Sequence, residues 1–234
     1  MYKRELATHA EVINMYRAIV ASIGWIAKQV GPSLAHAHST LGRAMHAPSL
    51  SAFQAAKHVM RFLKGHVDMS LQYTRPRVFD WRNGDLPQWH MQTDASLADD
   101  VADRKSQGGY VGNWEDMAAS TFSSTKSPRV CTSTYQAESA HATNACKEIE
   151  YKRNLFRFLR VLRETPTILE VDNYATFLSA GAPIRKFSPR SKQFSIEEST
   201  YNSVLKMVRL WCDIAWDHCR LTLRLPMKVL RQMQ

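Results

Sequence analysis

Gln88-Trp89-His90-Met91-Gln92-Thr93-Asp94 is the stretch on which the reading of this chain turns. Apolar and polar residues alternate in it. A β-strand here puts Trp89 and Met91 on one face and His90, Gln92 and Asp94 on the other. Asp94 becomes a carboxylate at the far end of a strand. Downstream, Arg104 to Gly112 and Ala118 to Ser124 read as two further strands of a meander, whose small residues allow a backbone or a ligand to come close. Thr132-Ser133-Thr134 offers N-caps for a long helix, with Glu138 in its first two turns. Leu155, Phe158, Leu159 and Leu162 repeat further along at helical spacing. After Pro166 the β-rich run Thr167-Ile168-Leu169-Glu170-Val171-Asp172 ends in another aspartate. A helix over Tyr174 to Ala180 stops at Gly181-Ala182-Pro183.

The order is strand with Asp, two strands, helix with Glu, strand with Asp, helix. A strand–helix–strand unit implies a parallel pair, and so an α/β arrangement of the α+β kind. A right-handed crossover brings the strand ends and the helix start together, so that Asp94, Glu138 and Asp172 can converge. Three carboxylates repel one another and raise each other's pKa unless a cation sits among them. Oxygen ligands of this type suit Mg²⁺ or Mn²⁺. Two such ions ~4 Å apart activate a water and stabilise the leaving oxygen of a phosphodiester. Singly, each of these residues is an ordinary surface acid; the ordered set carries the argument.

Upstream the chain is helical and holds no chemistry. Ile19, Val20, Ile23 and Ala27 form a stripe that Gly31-Pro32 ends. A second helix is expected over Ser33 to Ala47, with Leu34, His38, Leu41 and Met45 on one face. A third starts near Ser49 or Ser51, where Ser51 and Gln54 have the form of a capping box. Phe53, Ala56, Met60 and Leu63 line its inner face, and Gly65 closes it. Its other face carries Lys57, His58, Arg61 and Lys64, either a track for phosphates or a solvated basic face. His36, His38 and His46 read as structural histidines. Tyr73 to Pro87, rich in Pro, Arg, Asn and Gly, reads as a linker.

The chain has 234 residues, 44% hydrophobic and 22% charged, as in ordinary globular proteins. Its net charge of +10 favours a polyanionic partner, with nucleic acid the first candidate. It has no run of eighteen apolar residues and no signal-peptide pattern, so an intracellular place, cytoplasmic or nuclear, is expected. The four cysteines, Cys131, Cys146, Cys212 and Cys219, fit a reducing compartment. Cys212, His218 and Cys219 lack the paired spacing of a zinc site.

Several segments resemble the copia-type retrotransposon Pol polyprotein. Tyr16-Arg17-Ala18-Ile19-Val20-Ala21-Ser22 is similar to the Y-R-x-I-V-G-S-L motif of those reverse transcriptases. The helix Gln54 to Gly65 is similar to their W-K-A-A-K-R-I-L-R-Y-L-K-G. Thr93 to Asp99, with Asp103-Arg104-Lys105-Ser106 and Gly109-Tyr110-Val111, resembles the RNase H signature S-D-A-D-W-A-G-D…D-R-R-S-T-S-G-Y-V. Ser133 to Glu138 resembles S-S-T-E-A-E, Val171 to Ala175 resembles C-D-N-Q-S-A, and Arg190-Ser191-Lys192 resembles R-T-K. The resemblance spans about residues 15 to 195. It implies a helical reverse-transcriptase tail at 1–72, a linker at 73–87 and an RNase H-like domain at 88–234, C-terminally incomplete. That domain would be a mixed sheet flanked by helices. Asp94, Glu138 and Asp172 match the family's first three metal-binding acids. The resemblance implies Mg²⁺ or Mn²⁺ as cofactor and cleavage of the RNA strand of RNA–DNA hybrids. Lys57, Arg61, Lys64, Arg104, Lys105, Arg185, Lys186, Arg190 and Lys192 would hold phosphates. The upstream reverse-transcriptase domain is a further expected partner. The polymerase's Y-x-D-D lies upstream in the family, so no polymerase activity is expected.

The chain departs from the family at four places. No acid follows Asp217, where a fourth ligand is expected in an A-D-x-x-T-K segment. Lys192-Gln193-Phe194-Ser195 lacks the acid of K-H-I-D. Gln136 stands for a glutamate, and Ser139 for a tyrosine. Two readings therefore stay open: a metal-dependent RNase H, and a non-catalytic remnant that keeps the fold and binds nucleic acid. An integrase is disfavoured, because there the glutamate comes last.

Overall fold

The computed structural model describes residues 9–73, 78, 80–115, 117–173, 176 and 208–210. The chain divides into two compact units, Met1–Leu71 and Gln72–Gln234.

The first unit holds α1 (His9–Gln29), α2 (Ala35–Arg43) and α3 (Leu50–Gly65). The expected stripe on α1 is its buried face. Tyr16, Val20 and Ile23 are fully buried and cluster with Leu41 and Ala56. A 3-10 turn, Pro32–Leu34, precedes α2, which ends four residues short of the expected Ala47. Where α2 ends, its last carbonyls lose their helical partners. α1 adds donors around this end: the Tyr16 hydroxyl donates to the Leu41 carbonyl at 2.8 Å, and beyond the helix Arg17 Nε donates to that of Met45 at 3.0 Å. The cap of α3 is Ser49, whose Oγ accepts from the Ala52 N–H at 3.1 Å; Ser51 bonds the Ser49 hydroxyl instead. Phe53, Ala56 and Leu63 pack inward as expected, but Met60 is 40% exposed and Val59 packs in its stead. His38 lies against Gly24, where a Cβ would collide with its ring, so its role is structural.

The second unit is built on a five-stranded sheet of order β3-β2-β1-β4-β5. The strands are β1 (Trp89–Ser96), β2 (Gln107–Trp114), β3 (Ala119–Lys126), β4 (Thr167–Val171) and β5 (Val208–Leu210). The first three form the expected antiparallel meander, and β4 pairs parallel with β1. β5, parallel to β4, has no counterpart in the sequence reading. The start of a last strand read at Leu221 to Pro226 lies outside the described residues, as does nearly all of the helix read at Tyr174 to Ala180. Among the described residues of the stretch read as a linker, Trp81–Asn83 form a 3-10 turn.

A long helix, α4 (Thr134–Phe158), carries the chain from β3 to β4. Ser133 caps it, its Oγ accepting from the Gln136 N–H at 3.2 Å. The Gln136 side chain reaches back to the Thr132 N–H at 2.8 Å, so glutamine completes a reciprocal capping arrangement without the family's glutamate. The core joins Trp89, Met91 and Leu169 of the sheet to Ala142, Ala145, Cys146, Ile149 and Phe156 of α4. Small side chains face the sheet because the helix lies close to it. The expected stripe is different: Leu155, Phe158 and Leu159 are exposed, Phe158 at 83%. Only Leu162, beyond the helix, packs against the core. The Cys146 thiol is fully buried, and burial pushes it up to about 12.

Leu169→Ala, which empties a fully buried site, should cost about 2–5 kcal/mol in urea unfolding. Phe158→Ala should stay within ~0.5 kcal/mol, because its ring is already in water.

Candidate metal centre

In the parallel ladder Thr93 stands beside Val171. Asp94, the next residue of β1, and Asp172, the first residue beyond β4, therefore stand at the same level side by side. The first turns of α4 bring Glu138 over the same point. One carboxylate oxygen from each of Asp94, Glu138 and Asp172 lies within 4.8 Å of the other two. The expected convergence is thus a feature of the fold.

The three are not alike. Asp94 and Asp172 are exposed, whereas Glu138 is 5% exposed. Glu138 Oε1 accepts from the Ala95 N–H at 3.2 Å. Its Oε2 is buried with no hydrogen-bond partner. Burial first, then the charges of Asp172 and Asp94, push Glu138 up to about 8, with the Ala95 N–H opposing. Asp172 is also raised, by desolvation on its protein side and then by Asp94. Below Asp172, Asn173 Oδ1 accepts from the Thr176 N–H at 3.0 Å, which shapes the backbone leaving the strand.

A buried carboxylate oxygen with no donor, faced by two further carboxylates, is a poor place for a proton-free acid and a good one for a hard cation. Oxygen ligands alone fit Mg²⁺ or Mn²⁺ better than zinc or copper. The residues present therefore fit a divalent ion.

The basic candidates are dispersed. Lys57, Arg61 and Lys64 are exposed on α3 of the first unit, with Lys57 Nζ 4.8 Å from the centre of the Phe53 ring. Arg104 is exposed in the β1–β2 loop with φ 58°. Lys105 is half-buried and faces Asp103 at 3.8 Å. Arg185, Lys186, Arg190 and Lys192 lie outside the described residues. The sequence reading passed over Lys126, which bridges Asp100 at 2.6 Å and Asp103 at 2.8 Å and so holds the loop that carries Arg104. It also passed over His141, one turn beyond Glu138. That spacing was the available signal. No described helix is long and apolar enough to cross a membrane.

No family model matches the chain. Over 183 residues, 78% of its length, it is 29% identical to the retrovirus-related Pol polyprotein from transposon RE2 of Arabidopsis thaliana. Over 147 residues, 63% of its length, it is 30% identical to that from transposon TNT 1-94 of Nicotiana tabacum. The chain is similar to copia-type retrovirus-related Pol polyproteins. It spans 12% and 10% of the length of these two. Among solved structures it is similar to RNase H1 from the archaeon Halobacterium salinarum, at 11% identity and TM-score 0.38, over 53% of this chain and 81% of that one. The solution structure of the PFV RNase H domain matches at 13% identity and TM-score 0.40, over 63% and 92%. The second unit has an α+β fold in which, among the described strands, β2 alone runs against the other four.

Glu138 sets a pH dependence. A carboxyl whose folded-state pKa is raised stabilises the fold fully below its ordinary value, and that stability is lost as pH rises through the raised one. For Glu138 the window runs from the ordinary 4.5 to about 8. With chelator present, the melting temperature of the second unit should fall across that window, and Glu138→Gln should flatten the slope. Adding Mn²⁺ at the upper end should raise it again. The buried His141, whose pKa is lowered by desolvation, works in the opposite sense in the lower part of the window, so the comparison with Glu138→Gln is decisive: parallel curves for parent and variant would show that Glu138 is solvated.

Proposed function

We propose that this chain is a segment of a retrotransposon Pol protein whose residues 88–234 form a metal-dependent RNase H-like nuclease domain. Residues 1–72 would then be the tail of the reverse transcriptase and 73–87 the linker. The single observation that carries the reading is the trio Asp94, Glu138 and Asp172, within 4.8 Å, with one Glu138 oxygen buried and bare.

On this reading Asp94, Glu138 and Asp172 hold Mg²⁺ or Mn²⁺. When bound, the ions supply an activated water and Lewis acidity toward a phosphodiester. The chain's own residues do the rest. Ala95 N–H fixes one Glu138 oxygen, and the exposed carboxylates of Asp94 and Asp172 keep the site open to a substrate phosphate. Arg104 stands exposed on the loop between β1, which carries Asp94, and β2. Arg185, Lys186, Arg190 and Lys192 belong to the same proposal, as does the basic face of α3. The substrate would be an RNA–DNA hybrid, recognised by its shape and its 2′-hydroxyls and not by base sequence. The upstream reverse-transcriptase domain would be a protein partner.

A second reading is a non-catalytic remnant that keeps the fold and binds nucleic acid. The specific observation in its favour is Lys192-Gln193-Phe194-Ser195, which lacks the acid of the family's K-H-I-D.

Cleavage of a labelled RNA–DNA hybrid in Mg²⁺ or Mn²⁺ decides between them. The nuclease reading expects cleavage of the RNA strand, reduced at least about 100-fold in Asp94→Asn with Asp172→Asn. Hybrid binding that weakens steeply with salt, without cleavage, establishes the remnant.

A further inference from the structure

His141 is a buried titratable group that the chemistry above does not use. It lies three residues beyond Glu138 on α4, so the two side chains share a face of the helix. It is 3% exposed. Its Nε2 makes a hydrogen bond with the Ser127 hydroxyl at 3.1 Å, and Ser127 is itself 5% exposed. The Ser127 N–H donates to the Ser106 carbonyl at 2.7 Å, tying the end of β3 to the start of β2. The imidazole ring lies flush on Gly108, where any Cβ would collide with it. Of the close approaches expected at the glycines of β2, this ring makes the one at Gly108; the Ser123 carbonyl meets Gly109 and the Trp89 ring meets Gly112.

These contacts close a circuit. Gly108 stands opposite Ala95 in the β1–β2 ladder. Ala95 donates its N–H to Glu138 Oε1 at 3.2 Å. Glu138 returns to His141 through one turn of α4. Two polar links between α4 and the sheet, Thr121 Oγ1 to Glu148 at 3.2 Å and Arg153 to Thr167 Oγ1 at 3.0 Å, lie ten or more residues beyond Glu138; nearer to it the buried residues of α4 include Ala137, Ala142 and Ala145, which make small apolar contacts. Such contacts hold the layers together without direction. A hydrogen bond and a ring seated on a glycine have both direction and position.

We propose that His141 is a positioning residue: seated on Gly108 and bonded to Ser127, it sets the register of α4 on the sheet and thereby holds Glu138 at the metal site. This rests on reading Asp94, Glu138 and Asp172 as that site. His141 acts through Glu138 and has no contact with the ion. Residues that orient a metal ligand typically change metal affinity about 10–100-fold when removed.

The test is Mn²⁺ titration of the full chain by calorimetry, with urea unfolding alongside. The variants are Gly108→Ala, which unseats the ring; Ser127→Ala, which removes only the bond; and His141→Leu and His141→Asn. Asp94→Asn with Asp172→Asn serves as the site control. Gly108→Ala and His141→Leu should each weaken Mn²⁺ binding about tenfold or more. Combined, they should cost little more than either alone, because both break one support. Ser127→Ala should weaken binding less, and His141→Asn, which keeps a polar partner for Ser127, should recover part of the loss. Should His141→Leu not fold, the comparison rests on Ser127→Ala and Gly108→Ala. Folded variants that bind Mn²⁺ within twofold of the parent, whatever their stability, would overturn the inference while the metal site stands. A parent chain whose heat signal matches that of the site control removes both.

Discussion

The parallel pairing of β1 with β4 is the constraint on which the rest of the second unit depends. Antiparallel neighbours can be joined by a short turn, but a parallel neighbour needs the chain to return across the sheet. α4 makes that return and in doing so covers Trp89, Met91 and Leu169. The same pairing sets two acids side by side, because the residues after Thr93 and Val171 are both aspartates. A shift of one residue in that register would turn one of the two away. Stability and the candidate chemistry therefore rest on one set of backbone hydrogen bonds.

The fold then works against itself at one point. Apolar burial draws α4 down onto the sheet, and its early turns bring Glu138 beside two like charges. Only one of its oxygens receives a donor. The lysine at the end of β3, Lys126, is committed to Asp100 and Asp103. The resulting strain is electrostatic, and it is why an external divalent ion suits the place so well.

Much of this was legible in the sequence, for physical reasons. The alternation from Gln88 to Asp94 was readable because β1 is covered closely on one face by a single helix. The start of α4 was readable because caps are local chemistry. Asp94, Glu138 and Asp172 could be named from their order on successive elements. The buried face of α4 differs from the one that large apolar residues at helical spacing predict, since Leu155, Phe158 and Leu159 are exposed. The close helix–sheet layer instead selects Ala142, Ala145 and Cys146, and leaves Phe158 in water. Met60 was misplaced in the same way, with Val59 in its position. Three residues are too few to show a period, so β5 gave no signal. For His141 the sequence offers only its spacing from Glu138, since its seat is a glycine thirty-three positions away in the chain.

Cys146 sits in the middle of that close layer, with its thiol far from ionisation at neutral pH. A thiol reagent attacks the thiolate, so this sulfur is silent while the helix stays seated. Modification at position 146 can proceed only through molecules in which α4 has lifted from the sheet. The side chain is thus a native clock: its labelling rate counts openings of the layer that holds Glu138, with no probe added to the protein.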